Sequence, residues 1–168
     1  RLIDASKLRE HNMIDITSNF ETLLLQTSDN KLFTKKNFTV VSKIKPSKKI
    51  LDELIFAFNV CKNVKSNAIV LTRNGSTIGI GSGQPSRLDS CKIAIDKMKK
   101  FQKISENDII IGASDAFFPF VDGIETLVQN GVNAIIQPSG SIRDKEIIQF
   151  ADKLGIILVF SKTRHFKH

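Results

Sequence analysis

The 168-residue sequence contains no tryptophan and no tyrosine, and only two cysteines and four prolines. Two cysteines are too few for the disulfide framework of a small secreted domain, and Cys61 and Cys91 both fall in helical patterns among apolar neighbours. They read as reduced core thiols. The three histidines, His11, His165 and His168, stand at opposite ends of the chain and nothing has the spacing of metal ligands, so no metal is expected. No apolar run approaches the roughly 20 residues that a membrane helix requires, and no signal peptide is read at the start. The expectation is a soluble, cytoplasmic protein without membrane contact.

What is present begins with charge. Lysine and arginine outnumber aspartate and glutamate by 25 to 17, giving a net charge of +8. A basic surface attracts phosphates. The lysines, however, are scattered over expected helix faces and loops (Lys35, Lys36, Lys48, Lys49, Lys97, Lys99, Lys100), with neither an RNA-binding aromatic signature nor a helix-turn-helix pattern. Small anionic ligands or an acidic partner are therefore expected ahead of nucleic acid. The length suits one domain with a proper core. Arg1-Leu2-Ile3 does not resemble a translation start, which suggests a fragment. Residues 1–37 are read as a connecting segment, irregular or forming a hairpin, and 38–168 as the folded part.

Within that part, hydrophobic periodicity sets the elements. Phe38 to Ile44 reads as a strand. Ser47 is a helix cap, and Ile50, Leu51, Leu54, Ile55, Phe58 and Cys61 recur at helical spacing to about Asn63. Asn67 to Thr72 and Thr77 to Gly81 are strands joined by Arg73-Asn74-Gly75-Ser76, since Asn-Gly accepts the positive φ of a type I′ turn. Ser86 and Asp89 form a capping box for a helix reaching about Gln102. Asp108 to Ala113 and Val132 to Gln137 are buried strands, with a helix from about Asp122 to Asn130 between them. Ser141 and Asp144 suggest a second capping box for a helix from Ile142 to Leu154, and a strand follows from Ile156 to Phe160. Such strand, turn, helix units define an α/β fold, and the Asn-Gly hairpin makes its sheet mixed.

The richest stretch is Ser114-Asp115-Ala116-Phe117-Phe118-Pro119-Phe120-Val121-Asp122-Gly123, at a strand-to-helix junction where α/β sheets place ligand groups. Pro119 fixes its own φ and keeps Phe118 out of the helical region, so the rings sit on a stiff non-helical segment able to hold a flat ligand. Each ring taken singly reads first as a core plug. Arg87 is a second candidate. In the first turn of its helix it opposes the helix dipole, as a cation reserved for a ligand would. Glycines 79, 81 and 83 allow close approach of backbone or ligand. The final Arg164-His165-Phe166-Lys167-His168 is unusual for a frayed end and is able to reach a phosphate or carboxamide.

Five segments together carry a resemblance: Val64 to Val70, Ile78 to Arg87, Ser114 to Phe120, Pro138 to Asp144 and Arg164 to His168. In order and spacing they resemble the C-terminal portion of aminoimidazole carboxamide ribonucleotide (AICAR) transformylase, the formyl-transferring part of a bifunctional protein that also carries inosine monophosphate cyclohydrolase. The resemblance implies a cytidine-deaminase-like α/β fold, a layered mixed sheet flanked by helices, of which this chain is the second of two copies. It implies AICAR as substrate, 10-formyltetrahydrofolate as formyl donor, no metal, a homodimer, and a first half of the transformylase domain as partner. Carried over position by position, Asn67 holds the formyl oxygen. Phe117, Arg164, Phe166 and His168 bind AICAR, while Arg87, Asp122, Ser141 and Ile142 bind folate. The family's catalytic Lys-His pair has no counterpart in this chain, which implies that the isolated chain is inactive. An alternative is a non-catalytic ligand-binding or assembly module that pairs with a separate first half. The catalytic reading requires Asn67, Arg87 and Phe117 to share one hollow at an end of the sheet.

Overall fold

A computed structural model describes residues 14–168. The readings of Arg1-Leu2-Ile3 and His11 fall outside the described residues. Contacts divide the chain after Lys31. Before that point lies an antiparallel hairpin of β1 (Ile14–Asn19) and β2 (Thr22–Thr27), in register from Ile14 opposite Thr27 to Asn19 opposite Thr22. Of the two forms expected for this stretch, the hairpin is the one adopted, aided by the Ser28 hydroxyl donating to Asp15.

The larger unit starts at Leu32, ahead of the boundary expected at Phe38. Phe33 explains the difference. It is buried against the rings of Phe38 and Phe58, and Asn59 brackets its backbone, accepting from its N–H at 2.9 Å and donating to its carbonyl at 3.0 Å. A single 3-10 turn (Lys35–Asn37) leads into β3 (Phe38–Val40). This strand ends four residues before the expected Ile44. There the Ser42 hydroxyl accepts the Leu158 N–H that a continued ladder would use, and donates to the Ile44 carbonyl.

Helix α1 (Lys48–Cys61) is capped by Ser47, whose hydroxyl accepts the Ile50 N–H. Strands β4 (Ile69–Arg73) and β5 (Ser76–Gly81) turn at Asn74 and Gly75, with φ of 51° and 73° as a type I′ turn requires. Helix α2 (Arg87–Phe101) is capped by Ser86, and β6 (Ile110–Ser114) follows. Asp108 stays outside β6 because its carboxylate is engaged by the Ser105 N–H and by Arg73. Then come α3 (Asp122–Val128), β7 (Val132–Pro138), α4 (Asp144–Leu154) and β8 (Ile157–Ser161). Helix α4 starts two residues later than expected. The expected reciprocal bonds of Ser141 and Asp144 are made one turn ahead of it, the Ser141 hydroxyl accepting the Arg143 N–H and the Asp144 carboxylate accepting the N–H groups of Ser141 and Gly140, so the expected helical start is a turn.

The six-stranded sheet runs β3-β8-β7-β6-β4-β5. The β6–β7 and β7–β8 pairs are parallel and the others antiparallel, so the sheet is mixed as expected. Period-2 alternation splits its side chains between two cores. Ile69, Leu71, Ile135 and Leu158 face one core, shared with α2, α3 and α4. Val70, Ile111, Ile136 and Val159 face the other, shared with Leu54, Ala57, Phe58 and Cys61 of α1. The result is a sheet with helices on both faces. Among the described residues no helix is long and apolar enough to cross a membrane.

Two glycines bring α2 onto β5 backbone to backbone. A Cβ on Gly79 would lie 2.1 Å from the Ala94 carbonyl oxygen, and one on Gly81 would lie 1.9 Å from that of Ser90. Of the two uses read for these glycines, helix contact is therefore the one made.

Candidate functional site

The three parallel strands deliver their carboxyl ends to one side of the sheet, where an α/β fold leaves a crevice. After β6 comes the Phe segment, after β7 the turn 139–141, and after β8 the C-terminal tail. A cavity of about 510 Å³ opens there, lined by Asn67, Pro85 to Leu88, Ala116 to Phe120, Asp122, Gly123, Arg164 and Phe166. Its size is that of a small-molecule pocket.

The Phe segment divides its rings between the two readings given for it. Phe118 is a core plug, 1% exposed, seated where a Cβ on Gly123 would come within 2.5 Å of its ring. Its backbone N–H donates to the buried Gln137 side chain, which anchors the segment. Phe117 and Phe120 face the cavity, and each carries a guanidinium 4.7 Å from its ring centroid, Arg164 over Phe117 and Arg143 over Phe120. Such stacking is the cation–π geometry.

Asn67 follows a cis peptide bond after Ser66. Its amide nitrogen donates to the carbonyls of Gln84 (2.9 Å) and Pro85 (3.1 Å), and its oxygen accepts from Arg87 Nη2 at 2.8 Å. Both amide protons are thus engaged within the chain, a feature that strand-position reasoning did not anticipate. Arg87 is buried. Its Nη1 donates to the Ser114 hydroxyl and pairs with Asp115, which is 1% exposed. The cation that seemed misplaced against the helix dipole is held by this buried carboxylate.

Asp115 and Ser66 went unassigned in the sequence, although both lie inside quoted motifs. The available signal was an acidic residue directly after the largely apolar strand β6, where only a paired charge is stable. His165 is likewise a core residue, its ring 4.7 Å from that of Phe58.

Asn67, Arg87, Phe117, Asp122, Arg164 and Phe166 therefore share one cavity, whereas Ser141, Ile142 and His168 are not among its lining residues. Ile142 is fully exposed, and His168 stacks on Phe166, with centroids 6.0 Å apart. Arg164 reaches toward the 139–141 turn, since a Cβ on Gly140 would meet its guanidinium at 3.0 Å.

Neither thiol is a nucleophile near neutral pH. Burial pushes Cys61 well above its ordinary value, with Asp115 adding to the rise and Arg87 opposing it. Cys91 is pushed up to about 12, again mainly by burial, with Arg87 opposing and Asp122 adding. Among the described residues no cluster of His, Cys, Asp or Glu is placed to hold a metal ion.

Fold and cavity define an α/β domain with a ligand-sized crevice outside the carboxyl ends of its parallel strands. A family model for the AICARFT/IMPCHase bienzyme matches residues 1–97, more than half of the sequence, and the chain belongs to that family. The bifunctional purine biosynthesis protein PurH of Leptospira biflexa is 47% identical over 169 aligned positions, covering 100% of this chain and 33% of that protein. Its namesake from Leuconostoc mesenteroides is 47% identical over 155 positions (92% of this chain, 30% of the relative), and that from Chlorobium phaeobacteroides 44% over 146 (87% and 28%). The chain spans about a third of the length of these relatives.

Proposed function

We propose that this chain is the C-terminal, ligand-binding part of a folate-dependent formyltransferase of purine synthesis, moving formyl from 10-formyltetrahydrofolate to AICAR. The observation that carries the reading is the gathering of Asn67, Arg87, Phe117, Asp122, Arg164 and Phe166 around one cavity in a member of the bienzyme family. The PurH relatives agree, being named for two activities in purine biosynthesis.

In the reaction the AICAR amine attacks the formyl carbon, a C–N bond forms, and the formyl oxygen gains negative charge before the bond to the folate nitrogen breaks. Fixed donors aimed at that oxygen lower the barrier. Asn67 is assigned to this role, and to fill it the amide exchanges one of its two carbonyl partners for the ligand. Phe117 supplies a face for the aminoimidazole ring and Arg164 a cation for its phosphate. Asp122, at the exposed edge of the cavity, takes the pterin, with Arg87 on the folate side. Ser141 and Ile142 extend the folate site along the rim, while His168 and Phe166 cover the carboxamide. The net charge of +8 suits two anionic ligands. The domain is read as the second copy of a cytidine-deaminase-like fold, in a cytoplasmic homodimer that uses no metal.

The general base, which typically contributes about a hundredfold to ten-thousandfold, is assigned to the Lys-His pair of the first half. The isolated chain is accordingly expected to be inactive. Formyl transfer by the intact protein, with none by residues 1–168 alone, is the expected pair of results. An inactive intact protein, or full turnover by this chain, would overturn the reading. The second reading, a binding module that pairs with a separate first half, is favoured by one observation, the engagement of both Asn67 amide protons within the chain. It predicts ligand binding by the assembled pair without turnover.

A further inference from the structure

Every polar group of Asp115 is used, and the partners come from three distant segments. Its N–H donates to the Ala68 carbonyl at 3.3 Å, and its carbonyl accepts the His165 N–H at 3.0 Å. One carboxylate oxygen pairs with Arg87, and the other accepts the Ser66 hydroxyl at 2.6 Å. Ser66 passes the connection on. Its hydroxyl accepts the Lys167 N–H at 3.2 Å while its own N–H donates to the Lys167 carbonyl at 2.9 Å. Beyond Arg87 the chain of bonds continues to the Asn67 carboxamide.

We propose that Asp115 is a positioning residue that sets both walls of the cavity from one buried carboxylate, orienting Asn67 through Arg87 and fastening the C-terminal tail through Ser66. The tail brings Arg164 and Phe166 to the cavity, and the Arg87 branch brings the carboxamide. A single acidic side chain thus couples the residues assigned to the nucleotide with the residue assigned to the formyl oxygen. A carboxylate is suited to this because it accepts on two oxygens at once, from a cation and a hydroxyl. An asparagine of the same shape has only one accepting oxygen and turns a donor toward one of the two partners. The Ser66 hydroxyl is needed as donor and acceptor together, which threonine retains and alanine does not.

The effect on catalysis rests on the formyl-transfer reading, whereas the effect on the tail does not, so the test has two arms. In hydrogen–deuterium exchange, Ser66→Ala and Asp115→Asn are expected to speed exchange of the Lys167 amide by about tenfold, the loss of one hydrogen bond. Ser66→Thr stays at the wild-type rate. The His165 amide, bonded to the Asp115 main chain, is the internal control and holds its rate in Ser66→Ala. Unchanged Lys167 exchange in both variants, equal acceleration in Ser66→Thr, or a general rise that includes the β7 amides would each overturn the proposal. In formyl-transfer kinetics of the intact protein, Ser66→Ala raises KM for AICAR more than it lowers kcat, while Asp115→Asn changes both. The same pattern in both variants would overturn the coupling. A wild-type protein without formyl transfer would sink the functional reading and leave the exchange arm to decide this one.

Discussion

Arg87 Nη2 donates to Asn67 Oδ1 at 2.8 Å, and this bond fixes which way the carboxamide faces. With its oxygen on the guanidinium, the amide can direct only its nitrogen toward the Gln84 and Pro85 carbonyls.

That orientation makes Asn67→Asp informative. The substitution keeps the acceptor for Arg87 but sets an anionic oxygen against two carbonyls and removes both donors. Formyl transfer by the intact protein is expected to fall by about a hundredfold to a thousandfold, the loss typical of one oxyanion donor. Steady-state kcat/KM measures it, and a fall under tenfold would remove Asn67 from the formyl oxygen.

Arg87 and Asp115 form a buried pair, 9% and 1% exposed. Breaking such a pair from one side strands a charge. Arg87→Met is expected to cost about 3–5 kcal/mol of stability, read from urea unfolding. Adding Asp115→Leu should recover part of the loss, because no charge is then left alone.

The contact of α2 with β5 separates the glycines into two kinds. At Gly79 and Gly81 an added methyl meets main-chain oxygen at 2.1 and 1.9 Å, so Gly79→Ala and Gly81→Ala should each exceed the about 1–3 kcal/mol of ordinary overpacking. At Gly75, with φ of 73°, an added Cβ would meet nothing within 4 Å, so Gly75→Ala should cost only about 1–2 kcal/mol. Thermal unfolding of the three variants checks the order.

The thiols predict an alkaline limit. Cys91 moves from an ordinary value of 9.0 to about 12 on folding, so the folded protein keeps a proton that the unfolded chain releases. The associated stability is complete below about pH 9 and is lost as pH rises toward 12. Unfolding free energies at pH 8 and pH 10.5 should show the decline, and Cys91→Ala should lessen it. Near pH 8 a disulfide exchange reagent should modify Cys61 and Cys91 only after denaturation, since both are buried.

Much of this architecture was legible because its determinants are local. Ser47 with the apolar spacing of α1, Ser86 with α2, and the Asn74-Gly75 turn each write their structure in a few neighbouring residues. The structure departs from the local pattern where a side chain takes over a backbone group. Ser42 meets the backbone of Leu158, which shortens β3, and Asp144 draws back onto Gly140 and Ser141, which delays α4. Asp115 was the hardest to read. Its carboxylate partners lie 28 and 49 residues away, so the sequence shows that it needs a partner but not which one. Among the candidate site residues, Asn67, Arg87, Phe117, Asp122, Arg164 and Phe166 line the cavity, whereas Ser141 and Ile142 ride a turn held by Asp144.

The stack of Arg164 on Phe117 has a consequence for ligand choice. A planar molecule that takes that face of the ring must move the guanidinium aside, and the displaced charge then needs somewhere to go. A neutral heterocycle offers it nothing. One bearing its own anionic arm receives the arginine as it arrives, so the stack favours molecules that combine a flat ring with a negative group.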